Sequence, residues 1–253
     1  MSTKRQILSF LQGNAKIGKE PHTFSLPSGH TCPGATECLA RADRNTGTIT
    51  DGPDQRVRCF AATMEARFGS VRKSRWRNFE LLIEASRAIK DDPVAGMTDL
   101  LVESMTRTRP VITAVRVHVG GDFFNEAYFK AWMRAAEALP NVEFWAYTKS
   151  IPYWVKNQDI VPSNFSLTAS DGGRYDHFIP DLENAKTAYV VFSEEEAAIR
   201  GWEIDHDDSA ARYGKEDFAL LVHGTQPTGT EASTALNTLR RNGVRHSYPQ
   251  EAI

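Results

Sequence analysis

The chain of 253 residues has only three cysteines, no long apolar run and almost no excess charge. Three cysteines cannot all close into intramolecular disulfides, because one is left over. No segment approaches the roughly 20 apolar residues that span a bilayer, and the start MSTKRQILSF lacks the apolar stretch of a signal peptide. A net charge of −2 is unlike that of proteins that coat nucleic acid. We therefore expect a cytoplasmic protein with no membrane partner and reduced thiols.

Three stretches of different pattern suggest one domain over residues 1–253. Residues 1–60 are rich in Gly, Pro, Thr and Asp and carry all the cysteines. Residues 61–110 have helical periodicity, with one helix predicted after a cap at Ser74 and another from Pro93. Residues 111–253 alternate between strand and helix patterns. Turn signals near Gly47 and Gly52 predict a hairpin between the second and third cysteines.

Apolar, β-branched or aromatic runs predict six strands, at 22–26, 111–119, 142–148, 165–169, 188–193 and 218–223. Strands that alternate with helices indicate an α/β fold with a parallel sheet. Six such strands suit a partial parallel (βα)6-type barrel, similar to an incomplete TIM barrel. The cysteines would lie in an N-terminal loop that carries the inserted hairpin.

Cys32, Cys38 and Cys59 are the candidate metal ligands. They lie in a loop region rich in Pro and Gly, and the chain has no other cysteine. Three thiolates with one open position suit an iron–sulfur cluster that has an exposed iron, or a zinc ion completed by a histidine. His30 is the nearer candidate for that histidine, and His22 is the weaker one. The alternative is three unrelated buried thiols.

A Gly-Gly-Asp run, Gly120-Gly121-Asp122, follows the second predicted strand. Ligands of parallel sheets bind at the carboxyl ends of the strands. Glycines let a ligand approach the backbone, and a carboxylate there can bind an ammonium or a ribose hydroxyl. The alternative is an ordinary turn.

Lys149, Asp171 and Arg174 follow the next two predicted strands and are candidate substrate contacts or solvated charges. Arg75 belongs to the most basic stretch of the chain, at 67–77, where Trp76 is interleaved with the cations. Such a stretch can contact a nucleic-acid backbone, or it can be a solvated helix face.

Five runs of sequence together resemble the phage family called gene product 88. They are FSLPSGHTCPGATECL, RCFAATMEARF, KSRWRNF, VRVHVGGDFFNEAYFKAWMRAAEALPNVEFWAYTKS and ALLVHGTQPTGTEASTALNTLRRNG. The resemblance covers most of the chain and implies a bacteriophage origin, with the host cytoplasm as the location. It supplies no established reaction.

A more distant resemblance is to radical S-adenosylmethionine enzymes. It implies that Cys32, Cys38 and Cys59 bind a 4Fe–4S cluster, and that the run ending at Asp122 binds the amino group of S-adenosylmethionine. The cysteines have five and twenty residues between them, a wider spacing than in that superfamily, and Asp122 replaces the usual glutamate. A hairpin insertion would restore the geometry.

The expected function is therefore a radical S-adenosylmethionine-like enzyme. It would form a 5′-deoxyadenosyl radical, take electrons from a reductant such as flavodoxin or ferredoxin, and act on a nucleotide or nucleic acid. The alternative is a non-catalytic iron–sulfur or zinc protein that binds nucleic acid or a host partner.

Overall fold

The computed structural model describes residues 6–14 and 16–244. The first half of the N-terminal segment examined for a signal peptide, and residues 245–253 of the predicted single domain, lie outside the described residues. Within the described part of the chain, no helix combines the length and the apolar character that a membrane crossing needs.

A mostly parallel sheet forms the centre of the molecule. Its eight strands are β1 (Leu11–Asn14), β2 (Gly18–Thr23), β5 (Ala114–Val117), β6 (Glu143–Thr148), β7 (Phe165–Ser170), β8 (Lys186–Val191), β9 (Glu203–Ile204) and β10 (Phe218–Leu221). They lie in the order β1-β2-β5-β6-β7-β8-β10-β9. Only β1 runs antiparallel to its neighbour. The predicted α/β class is confirmed, whereas a closed barrel is not seen, because β1 and β9 end the described sheet.

The six long parallel strands lie close to the six predicted runs. The first is displaced, since β2 ends at Thr23 and the prediction was 22–26. Its continuation still pairs with the neighbouring chain: Phe24 N–H donates to Arg116 O at 3.0 Å, and Leu26 N–H donates to Gly120 O at 2.8 Å. The chain is therefore extended along β5 as far as the cysteine loop.

The predicted hairpin between Cys38 and Cys59 is confirmed. It consists of β3 (Ala40–Ala42) and β4 (Ile49–Asp51), which pair antiparallel. In its turn, the Asp43 carboxylate accepts hydrogen bonds from the N–H groups of Asn45 and Thr46. Gly47 adopts a φ of 78°, which glycine reaches without strain.

The helices of the described chain are α1 (Phe60–Arg67), α2 (Gly69–Ala88), α3 (Pro93–Arg107), α4 (Glu126–Ala138), α5 (Ile151–Lys156), α6 (Glu194–Arg200), α7 (Ser209–Tyr213) and α8 (Glu231–Arg241). The prediction that Ser74 caps a helix is wrong, since α2 already begins at Gly69, after an extended Phe68. The start of α3 at Pro93 is confirmed, and its Asp92 cap accepts a hydrogen bond from Ala95 N–H at 2.9 Å.

Large aromatic side chains fill the core between the sheet and its helices. Trp132 and Tyr128 of α4 are fully buried against Phe24 and Phe123. Burial of each such side chain contributes about 1.5–3 kcal/mol relative to exposure. On the other face of the sheet, Trp145 belongs to a separate buried cluster. The sheet is therefore covered on both faces, as parallel sheets require.

Candidate functional site

The cysteine loop, residues 27–39, crosses the carboxyl ends of the parallel strands. Its backbone hydrogen-bonds to the loop after β7: Arg174 N–H donates to Gly34 O at 2.8 Å, and Glu37 N–H donates to Gly172 O at 3.1 Å. Just before the loop, Leu26 is bonded to Gly120 after β5. The segments that follow β2, β5 and β7 therefore meet at one edge of the sheet, as expected for parallel strands.

Two glycines allow this close approach. A Cβ on Gly34 would lie 2.0 Å from the carbonyl oxygen of Lys149, inside any permitted contact distance. A Cβ on Gly121 would lie 2.6 Å from the Thr31 hydroxyl, and Gly121 also has a φ of 85°. The glycines of the Gly-Gly-Asp run thus seat the cysteine loop against β5. The cofactor contact expected of this run stays a prediction.

A cavity of about 190 Å³ opens at this edge, and all three cysteines line it. Cys32 and Cys38 come from the loop after β2, whereas Cys59 precedes α1. Each is a free thiol and is half-buried. The predicted set Gly120, Gly121 and Asp122 lines the same cavity, as does Lys149. The structure therefore brings together residues that the sequence placed far apart.

Burial dominates the electrostatics of the thiols. Although their surfaces face the cavity, the surrounding protein raises the pKa of Cys59 to about 11, and the nearby Cys38 adds to the shift. Burial also raises the pKa of Cys32 well above its usual range. The charges of Asp122 and Cys59 are smaller causes of the same upward shift. Thiols with raised pKa values are protonated at neutral pH and are poor nucleophiles. A metal bound at these thiols would first have to displace their protons.

Across residues 6–14 and 16–244, no group of three or more His, Cys, Asp or Glu side chains is placed to hold a metal ion. The three free thiols line one cavity without being gathered in that way. The iron–sulfur cluster and the zinc ion expected from the sequence therefore both stay predictions.

His30 does not complete a zinc site with the cysteines. Its Nε2 lies 3.0 Å from Ala42 O in the hairpin, and the centroid of its exposed ring lies 5.0 Å from that of Trp76. It is not part of the cavity lining described above. His22 is buried in β2, and burial lowers its pKa. Neither histidine named from the sequence as the fourth zinc ligand therefore belongs to the lining of the cavity that the cysteines share.

Asp122 is buried and already well bonded. One carboxylate oxygen accepts from the Thr148 hydroxyl at 2.7 Å and from Phe123 N–H, and the other accepts from Lys149 N–H at 2.9 Å. Burial raises the pKa of Asp122, while these hydrogen bonds oppose the shift. The carboxylate consequently ties the end of β5 to the end of β6.

The three rim residues predicted as substrate contacts take different positions. Lys149 lines the cavity, but its Nζ donates to the carbonyls of Ser170 and Asp171, which fixes it across the end of β7. Asp171 lines a separate shallow depression beside Arg56. Arg174 is exposed and reaches the cysteine loop through its backbone. Of the three, only Lys149 reaches the cysteine cavity.

Arg75 does not lie on a solvated basic face. It is buried, pairs with Glu65 at 2.6 Å and donates to Ala61 O at 2.9 Å. Elsewhere in the basic stretch, Arg72 donates to Arg44 O and Arg77 donates to Ile7 O. These three guanidinium groups bond within the fold, whereas Arg67 and Lys73 of the same stretch are exposed.

A buried charge network under the cavity was missed by the sequence analysis. Asp208 pairs with Lys16 at 2.5 Å and with Arg116 at 3.0 Å, and it accepts hydrogen bonds from Trp145 and Tyr147. Burial opposes ionisation of Asp208, but the cations outweigh it and hold its pKa at about 2. The one sequence signal was Arg116 itself, a cation inside an apolar strand.

Phe60 is the other residue that sequence reasoning overlooked. It lines the cavity directly after Cys59, and its ring lies 5.1 Å from that of His223. A Cβ on Gly224 would come within 2.9 Å of Phe60 Cβ, so the glycine makes room for the start of α1. The N-terminus of α8 carries a Thr230 cap and the acidic Glu231.

The fold and site define an α/β protein in which three free thiols share one cavity at the carboxyl edge of a parallel sheet. The gene product 88 family matches residues 7–241, so the chain belongs to that family. Its relatives include the gene 88 protein of Mycobacterium phage L5, which is 29% identical over 231 residues that make up 87% of this chain and 81% of that protein. The gene 88 protein of Mycobacterium phage D29 is 27% identical with the same coverage. No solved structure matches the chain.

Proposed function

We propose that the protein is an iron–sulfur enzyme similar to radical S-adenosylmethionine enzymes. One observation carries the proposal: Cys32, Cys38 and Cys59, from two separated segments, line a single cavity beside the Gly-Gly-Asp run. On this proposal the sheet curves as a partial (βα)6-type barrel, and the cluster occupies its carboxyl mouth. The host cytoplasm would keep the thiols reduced and would supply flavodoxin or ferredoxin as reductant.

The cysteines would hold a 4Fe–4S cluster, each through its thiolate. When bound, such a cluster supplies the electron that cleaves S-adenosylmethionine, and the hard chemistry belongs to that cofactor. The chain contributes position and shielding. The amides of Ala61 and Ala62 are directed at the Cys59 sulfur and favour its thiolate form. Gly120 and Gly121 line the cavity, and the proposal places the ammonium group of the cofactor beside them.

The direct experiment is purification of the full chain without oxygen, followed by measurement of iron, acid-labile sulfide and zinc. We expect about four irons and four sulfides per chain, as in a 4Fe–4S cluster. The variants Cys32→Ser, Cys38→Ser and Cys59→Ser should each lose most of the iron. His30→Ala is the matched control and should keep it, because His30 faces the hairpin. One zinc per chain and no iron would overturn the proposal.

A second assay tests the enzyme itself. After reduction with dithionite, the iron-containing protein should convert S-adenosylmethionine to 5′-deoxyadenosine, detected by liquid chromatography. The same assay on Gly121→Ala tests the contribution of the Gly-Gly-Asp run, because a Cβ at position 121 would press on the cysteine loop. Iron content with no conversion in the wild-type protein would remove the enzymatic part of the proposal and keep the cluster.

One observation favours a second function, an iron–sulfur protein that does not use S-adenosylmethionine. Both oxygens of Asp122 are engaged by Thr148, Lys149 and Phe123, as a carboxylate with a purely structural role would be. Such a protein would bind a host partner or nucleic acid, and its cluster would have a structural or redox role. The same 5′-deoxyadenosine assay separates the two functions.

A further inference from the structure

A second cavity, of about 400 Å³, lies beside the cysteine cavity. One side is formed by the edge of the sheet at β1 and β2, and the other by Gly224 and Thr225 after β10. Helices α1 and α2 complete its walls. The cavity therefore lies between the β1–β2 edge of the sheet and the segment that follows β10, and its volume is in the range of small-molecule sites.

The two cavities share a wall made by Phe60 and Val119, which line both of them. At the outer end of the second cavity, Leu11, Gln12 and Thr225 are exposed. At the inner end, Thr23, Arg75 and Asn78 are buried. The second cavity thus leads from solvent to the wall behind which the three thiols lie.

Most of the surface that lines the second cavity is apolar, and the polar side chains within it are almost all neutral. These side chains carry hydroxyl or amide groups and include Ser9, Gln12, Ser25, Thr63, Ser74 and Asn78. Arg75 is the one charged residue in the described lining, and Glu65 neutralises it at 2.6 Å. A phosphate would therefore meet no cation that lacks a carboxylate partner. A molecule with hydroxyl groups and a flat apolar face would find both kinds of contact.

We propose that this second cavity binds the substrate, and that the substrate is a nucleoside rather than a nucleotide or nucleic acid. The base would stack near Phe60, since rings of this kind offer a stacking face to any base. The sugar hydroxyls would bond to the hydroxyl and amide side chains around Ser74. The chemical role of this site rests on the proposed function, whereas binding itself requires no cluster.

The test uses full-length protein purified without oxygen, with adenosine and thymidine as probes and their 5′-monophosphates as charged counterparts. Saturation-transfer NMR and calorimetry should show that a nucleoside binds, and that it binds more tightly than its monophosphate. Ser74→Trp should weaken binding at least about tenfold, because the indole fills the space that the ligand contacts. Lys73→Trp is the matched control, since Lys73 is exposed on the same helix and outside the lining.

Thr225→Trp, at the exposed mouth, gives a second obstruction with little risk to folding, and it should also weaken binding. The inference is overturned if neither nucleoside binds, if the monophosphates bind more tightly, or if both obstructed variants bind normally. Iron analysis of the same samples keeps the two proposals apart. If an iron-free protein binds a nucleoside, the nucleoside site is supported and the proposal of an iron–sulfur enzyme is rejected. If the protein holds a cluster but binds no nucleoside, only the nucleoside site is rejected.

Discussion

Arg75 Nη1 lies 2.6 Å from Glu65 Oε1, and both side chains are buried behind the cysteine loop. The same carboxylate oxygen accepts the N–H of Ser28 at 2.8 Å, and Arg75 also donates to Ala61 O. This ion pair therefore joins α1 and α2 to the loop that carries Cys32. Through Ala61, two residues after Cys59, it fixes both cysteine-bearing segments to one point.

Replacing Arg75 with methionine should strongly destabilise the protein. Glu65 would keep its buried charge without its cation, a change that costs about 3–5 kcal/mol in the free energy of unfolding. Urea titration followed by circular dichroism measures the difference. The exposed pair of Arg44 and Glu80 is the matched control, and Glu80→Gln there should cost less than about 1 kcal/mol. Equal losses in the two variants would contradict the assignment.

Much of the fold follows from local pattern. The five late strands are short apolar or aromatic runs, and the parallel sheet follows from their alternation with helices. The hairpin follows from Gly47 and Gly52. Strand β1 and the two-residue β9 were not predicted, because their sequences have no period-two alternation and depend on neighbouring strands for pairing. The start of α2 was misplaced because Gly69 is a poor helix former that the fold nevertheless includes.

The candidate site was predictable where chemistry and strand ends coincide. Cys32, Cys38 and Cys59 have few alternative roles, and Asp122 follows a strand. The sequence therefore singled out these four residues, and the structure places them around one cavity. The role of Arg75 could not be predicted, since its partner Glu65 lies on another helix and no sequence spacing relates them. The same limit applies to Asp208, whose two cations come from remote segments. Long-range charge pairing leaves little trace in a single sequence.

Gly121→Ala should destabilise the protein through both strain and a clash. The φ of 85° is unfavourable for alanine, and the new Cβ would lie 2.6 Å from the Thr31 hydroxyl and 2.7 Å from Leu26 Cβ. Gly201→Ala isolates the strain, since Gly201 has a φ of 71° and nothing within 4 Å of its Cβ position. We expect about 1 kcal/mol for Gly201→Ala and about 1–3 kcal/mol more for Gly121→Ala.

Thermal unfolding and thiol accessibility together check this pair. Gly121→Ala should also speed the reaction of Cys32 with a thiol reagent, because the cysteine loop must shift to admit the Cβ. Gly201 lies at the end of α6, so its variant should leave that rate unchanged. Similar unfolding temperatures and rates in the two variants would show that the loop does not rest on Gly121.

His118 should make the stability of the protein depend on pH. Burial lowers the pKa of His118 to about 3, whereas an unfolded histidine titrates near 6.5. Between these values the unfolded chain binds a proton that the folded chain does not, so the free energy of unfolding falls as the pH falls. The contribution is about 1.36 kcal/mol per pH unit below 6.5. Above pH 7 it is fully present.

Urea titrations at several pH values, on wild type and His118→Asn, measure this contribution. Asparagine tolerates the positive φ of 66° at this position. In His118→Asn, the free energy of unfolding should lose the part of its pH dependence that comes from the single His118 proton. Tyr128→Phe is the control, because it removes the hydroxyl that lies 3.0 Å from His118 Nε2 and leaves the imidazole in place. That variant should be less stable but should keep the slope. An unchanged slope in His118→Asn would contradict the buried, neutral imidazole.

Asp208→Asn, at the start of α7 beside the sheet, should strongly destabilise the protein. The carboxylate is 1% exposed and shared by Lys16 and Arg116, so its loss leaves two buried cations with one fewer anionic partner. Breaking a buried pair of this kind costs about 3–5 kcal/mol. Asparagine preserves shape and still accepts a hydrogen bond from Trp145, which limits the change to the charge.

Denaturant unfolding of Asp208→Asn and of the exposed variant Glu203→Gln measures the effect, and the latter should change stability by less than about 0.5 kcal/mol. Iron content gives the second readout. The network lies beneath the cysteine cavity and contributes Lys16, Arg116 and Tyr147 to its lining. If the variant unfolds more easily but retains iron under native conditions, the charge network stabilises the fold and does not affect the thiols. If the variant loses iron but is as stable as wild type, the charges under the cavity act on the proposed cluster, because the field of nearby cations affects how tightly an anionic cluster is bound.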